Sequence, residues 1–63
     1  MDDQRLDKWL WCARFYKTRA LAVDAIKAGR VAVNGQLAKP AKSLVIGDTL
    51  ALRMPPYEWI VEV

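Results

Sequence analysis

Arg14, Lys17 and Arg19 set three cations within six residues, and Thr18 stands between the last two. A hydroxyl residue at a break in a helical pattern is a good N-cap. The free N–H groups and positive end of the helix that follows favour an anion, above all a phosphate. Arg grips a phosphate bidentately, whereas Lys acts as a point charge. Thr18 suits both roles, cap and phosphate contact. Acid–base and metal chemistry have little to draw on. The chain has no histidine, which removes the commonest general base and the commonest zinc ligand. Cys12 is its one cysteine, so it makes no internal disulfide and has no second thiol at metal spacing. No glycine-rich phosphate loop follows a strand, and no nucleophile pairs with a base. Binding rather than catalysis is therefore expected, with no catalytic residue, cofactor, metal or small-molecule substrate.

The net charge of +3 hides a sharper pattern. From Lys8 to Lys42, eight cations face the single acid Asp24, a net +7. The two ends hold Arg5 and Arg53 against six acids, a net −4. A basic middle between acidic ends predicts an anion-binding face, with nucleic acid the default partner. The acidic, polar N-terminus does not read as a signal peptide. No apolar run approaches the ~20 residues of a membrane span. With one thiol, an intracellular, cytoplasmic setting is expected.

These side chains need elements to hold them. At 63 residues the chain is one domain, residues 1–63, and its 54% apolar content suffices for a core. Leu6, Trp9, Leu10 and Ala13 share one face of a helix predicted over about Gln4 to Phe15, with Asp2 or Asp3 as cap. Asp7 either pairs with a neighbouring Arg or simply favours the helix start. Tyr16-Lys17-Thr18 breaks the pattern. A second helix is expected from Arg19 to about Ala28, burying Leu21, Ala22, Ala25 and Ile26, with Gly29 at its left-handed end. Lys27 and Arg30 then complement that helix's negative end. The period next changes to two. Val31 to Val33 leads into Asn34-Gly35, a strong hairpin signal, and Gln36 to Ala38 returns. Lys39 to Lys42 reads as a basic loop, Ser43 to Val45 as a lead-in, and Gly47-Asp48 as a turn. Thr49 to Arg53 and Tyr57 to Val63 read as strands, the last with Tyr57, Trp59, Val61 and Val63 on one face. The class is α+β: a two-helix hairpin packed on a small, mainly antiparallel sheet.

Arg5-Leu6-Asp7-Lys8-Trp9-Leu10, Arg14 to Ala20 and Ala28-Gly29-Arg30-Val31-Ala32-Val33-Asn34-Gly35 resemble, in order, the signature of one family. It is the RNA-binding domain first described in ribosomal small-subunit protein four, here the S-four domain, whose helical hairpin and sheet form the αL motif. Lys39-Pro40 and Gly47-Asp48 continue the resemblance. Asp7-Lys8-Trp9-Leu10-Trp11 and Ala13 to Arg19 are most similar to the heat-shock-induced, ribosome-associated branch found in bacteria. The resemblance implies binding of structured RNA, ribosomal RNA above all, and a stress-response role on blocked large ribosomal subunits. It implies RNA contacts at Arg5, Arg14, Lys17, Thr18 and Arg19 and in the loop around Lys39 and Lys42; Lys8, in the same basic stretch, is expected to join them. Members of that branch continue into a long charged extension. This sequence ends at Val63, as an isolated domain, a fragment or a short homologue would.

Other readings stand beside this one. Phe15 and Tyr16 are expected in the core or as a staple, and Trp9 in the core. Trp11, off the buried stripe, is expected to pack under the sheet or against an extension, with stacking on a base or sugar the alternative. Cys12 reads as an inert small hydrophobe. Tyr57 to Val63 offers an edge strand to a protein partner, the main alternative function. The chain also fits the RNA-binding part of a larger RNA-modifying enzyme. Membrane-surface binding is disfavoured, since the basic helices lack a broad apolar face.

Overall fold

The computed structural model describes residues 4–63. Two helices, α1 (Leu6–Cys12) and α2 (Arg19–Lys27), precede four strands: β1 (Val31–Val33), β2 (Gln36–Leu37), β3 (Thr49–Met54) and β4 (Tyr57–Glu62). All neighbouring strands are antiparallel, in the order β2-β1-β3-β4. The α+β class and the helical hairpin are as expected. Leu6 and Leu10 of α1 meet Ala22 and Ile26 of α2, and both helices close over Val31, Val33, Leu50 and Leu52 of the sheet. Leu44, from the loop after β2, completes this core. Among the described residues no helix is long and apolar enough to cross a membrane.

Helix α1 is shorter than its pattern predicts at both ends. Gln4 and Arg5 are drawn into contact with the 39–44 loop: Arg5 bridges Ser43, and the Leu44 N–H donates to the Gln4 carbonyl at 2.8 Å. The expected caps Asp2 and Asp3 lie outside the described residues. Arg5 is the N-cap, without a side-chain cap bond. Loop carbonyls serve instead: Leu6 N–H donates to Lys42 O (2.9 Å) and Asp7 N–H to Pro40 O (3.2 Å). Lys8 N–H donates to the Asp7 carboxylate at 2.7 Å, so the first turn leaves no donor orphaned. At the other end the chain turns left-handed at Arg14, which stops the helix before Phe15.

Both helices end in the same way. Phe15 N–H donates to Leu10 O and Arg14 N–H to Trp11 O; Arg30 N–H donates to Ala25 O and Gly29 N–H to Ile26 O. These are paired Schellman bonds, which require a left-handed residue at C′. Helix α2 places Gly29 there, at φ 77°; α1 places Arg14 there, at φ 68°. Helix α2 also buries a narrower stripe than expected. Ala22 and Ile26 are buried and Ala25 partly so, but Leu21 is 47% exposed. A partner of only two turns cannot cover it.

Asn34 and Gly35, at φ 52° and 83°, form the expected tight turn between β1 and β2. Ser43 to Val45 forms only the isolated bridge to Arg5. The pairing of β3 and β4 sets Tyr57 opposite Met54, Trp59 opposite Leu52 and Val61 opposite Leu50. Alternate residues of β4 therefore share the core face. Val61 and Val63 pack on the core, whereas Tyr57 and Trp59 remain exposed.

Candidate nucleic-acid interface

One buried carboxylate organises the basic face. Asp7, in the first turn of α1, is 2% exposed. Its oxygens accept from Arg5 Nε at 3.2 Å, from an Arg5 terminal nitrogen at 3.0 Å and from an Arg19 terminal nitrogen at 3.4 Å. Arg5 and Arg19 keep about two-fifths of their side-chain surface exposed, at 43% and 40%. Their inner edges are held and their outer edges face solvent. Burial pushes the Asp7 carboxyl up, but the bonds from Arg5, the Lys8 N–H and Arg19 outweigh it and hold the group below its usual range. Of the two roles open to Asp7, the structure shows pairing, and the pairing spans both helices.

The same helix end receives the basic loop. Because Lys42 and Pro40 supply the carbonyls that cap α1, Lys39 and Lys42 are anchored beside Arg5 and Lys8. The turn closes on itself through Lys42 N–H to Lys39 O at 3.0 Å. Lys8, Lys39 and Lys42 are exposed and make no ion pair among the described residues.

At the start of α2, Thr18 has extended backbone, and its hydroxyl accepts from Leu21 N–H at 3.1 Å. Among the described residues no acceptor meets the N–H groups of Arg19 and Ala20. Arg14 and Lys17 lie in the preceding turn, exposed and without an ion pair among the described residues. Both line an open groove with Trp11, Cys12, Phe15 and Tyr16. The eight expected residues thus fall into two sets. Arg5, Lys8, Arg19, Lys39 and Lys42 surround the start of α1. Arg14, Lys17 and Thr18 mark the turn into α2, and Arg19 joins the sets by reaching back to Asp7.

Several expectations change here. Trp11 packs neither under the sheet nor against the core; it is 42% exposed in the groove, because the short α1 turns its outer side away from the sheet. Cys12 is exposed beside it. Trp9 lies at the core's edge, stacked on Phe15 with centroids 6.2 Å apart and rings inclined by 19°. Tyr16, expected in the core or as a staple, is half-buried against the core, and its hydroxyl is shut from solvent with no partner among the described residues. Burial pushes that phenol up, against the pull of the Arg30 charge. Sequence reasoning also missed a clamp between turns. Asn34 Nδ2 donates to Asp48 at 3.0 Å, its Oδ1 accepts from Thr49 N–H at 3.0 Å, and Asp48 accepts from Val45 N–H at 3.0 Å. Among the described residues no group of acids, cysteines and histidines could hold a metal.

The S4 domain family profile matches residues 4–50. Heat shock protein 15 of Escherichia coli (strain K12) is 61% identical over 49 residues, 78% of this chain and 37% of that protein. The RQC P-site tRNA stabilizing factor of Listeria monocytogenes is 44% identical over 52 residues, 82% of this chain and 56% of that protein. The trimeric structure of Vibrio cholerae Heat Shock Protein 15 superposes with a TM-score of 0.89 at 52% identity, covering 94% of this chain and 60% of that one. The chain therefore spans little more than a third of the E. coli protein and under two thirds of the other two.

Proposed function

The chain belongs to the S4 domain family, and from that premise we propose that it binds structured RNA on the ribosome, in the cytoplasm, without catalysing a reaction. The observation that carries this reading is the Asp7 carboxylate, which holds both Arg5 and Arg19. Two guanidinium groups held at a set spacing, with three lysines around them, match phosphates across a helical groove. RNA duplexes hide their base edges in a deep major groove, so shape and phosphate readout suits this rigid face. Arg5, Lys8, Arg14, Lys17, Thr18, Arg19, Lys39 and Lys42 are its contacts. The relatives named for heat shock and for stabilising the P-site tRNA in RQC direct the reading to stalled large subunits under stress. Residues 1–63 act as one binding domain.

The test uses three labelled RNAs: a ribosomal helix junction, a plain duplex and a single strand. Fluorescence anisotropy should give tightest binding to the junction and weakest to the single strand. The Lys17→Ala, Arg19→Ala double variant should lose affinity for all three. Equal, salt-insensitive binding by parent and variant would reject the reading.

A second reading rests on β4. It is an edge strand with Tyr57, Trp59 and Ile60 exposed, open to pairing with another chain. The Vibrio relative is described as a trimer. Trp59→Asp would then abolish function while Lys17→Glu, at an exposed side chain with no ion pair among the described residues, is tolerated; RNA binding gives the reverse order.

A further inference from the structure

The groove at the turn between the helices holds three aromatic residues and two cations, and among the described residues no acid lines it. Trp11 presents 42% of its surface there although the core lies one helix face away. A single exposed apolar ring is ordinary on a protein surface; what marks Trp11 is that it shares one groove with two further aromatic rings and two cations. Arg14 gives a second sign. It fills a left-handed C′ position that α2 fills with Gly29, and there a side chain costs roughly 1 kcal/mol or more. A strained arginine where glycine would be relaxed points to use of its side chain. Lys17, directly before the N-cap Thr18, supplies another exposed cation without an ion pair among the described residues.

We propose that this groove receives one unpaired nucleotide of a structured RNA, its base against Trp11 and its phosphate on Arg14 and Lys17. The idea rests on the RNA-binding reading above and adds a site to it. An aromatic platform flanked by cations fits an extruded nucleotide, because every base has a π-face and every phosphate a charge. Such a site tolerates any base and selects for a break in pairing. The neighbouring phosphate of the same strand would meet the N-terminus of α2 at Thr18 and Arg19. The domain would thereby prefer bulged or junction RNA over uninterrupted duplex.

The test compares a fully paired hairpin, the same hairpin with one bulged nucleotide, and the same hairpin with an abasic bulge. Parent, Trp11→Ala and Trp11→Phe proteins are titrated against each. The parent should bind the bulged hairpin about tenfold more tightly than the paired one, in line with stacking a single base on an aromatic ring. The abasic bulge should lose most of that gain. Trp11→Ala should bind all three alike, at the parent's level for paired RNA, while Trp11→Phe keeps most of the preference. If Trp11→Ala retains the bulge preference, or the abasic bulge binds as well as the base, the proposal fails. If paired RNA binds with steep salt dependence but the bulge adds nothing, this site alone is refuted. If no hairpin binds in a salt-dependent way, the RNA-binding reading fails and the site falls with it.

Discussion

Asp7 and Arg19 lie twelve positions apart, on different helices, and their side chains meet at 3.4 Å. The carboxylate is buried while the guanidinium keeps an exposed edge. The pair therefore ties α1 to α2 and also aims one of the candidate RNA contacts. Arg5, on the same carboxylate, is aimed in the same way.

Removing that carboxylate should affect stability and binding together. Asp7→Ala leaves two guanidinium groups without their anchor and Lys8 N–H without an acceptor. A loss of about 1–3 kcal/mol is expected, because charge-assisted bonds to a buried group are removed while the cations can still reach water. Urea denaturation of parent and variant measures it. At a urea concentration where both stay folded, RNA affinity should also fall.

The depressed Asp7 carboxyl carries a pH signature. Its folded pKa lies below the unfolded value of about 3.9, so its contribution is complete above that value. It is lost as pH falls through the folded pKa. Asp48, depressed by bonds from Val45 N–H and Asn34, acts in the same sense at a half-buried position near the surface. Thermal melts between about pH 2 and 6 should show Tm falling on acidification, with the Asp7→Asn curve flatter than the parent's. An unchanged slope in that variant would separate Asp7 from the acid response.

Arg14→Gly should split fold from function. Relaxing the left-handed position should raise stability by up to about 1 kcal/mol. Losing the cation should weaken RNA binding and make the salt slope shallower by about one unit. Paired urea and anisotropy titrations read both effects on one sample.

Tyr16→Phe removes a hydroxyl that is buried without a partner among the described residues. The variant should be neutral or more stable by about 1 kcal/mol, since it avoids desolvating an unmade bond. A loss of that size in thermal or urea melts would mean that the hydroxyl is satisfied.

Features written in a few adjacent residues were legible in the sequence. Thr18 caps α2, Gly29 ends it and Asn34-Gly35 turns the hairpin, because each depends on local backbone chemistry. The eight cationic and hydroxyl positions were legible as residue types, but not their grouping. Asp7 meets Arg19, and Pro40 and Lys42 cap α1, through contacts that span the chain. Backbone carbonyl caps leave no side-chain signature at all. The expected packing of Trp11 under the sheet fails for a related reason. The helical pattern alone does not reveal that α1 stops at Cys12, which leaves the ring beside an open turn.

The most direct measurement of the central claim is the salt dependence of binding by a Lys8→Ala, Lys17→Ala, Lys42→Ala triple variant. None of these side chains makes an ion pair among the described residues, so the fold should be kept, as circular dichroism would verify. If these lysines neutralise phosphates, the slope of log affinity against log salt should become shallower by about two to three units. An unchanged slope in a folded variant would contradict the account and leave the basic face as solvated surface.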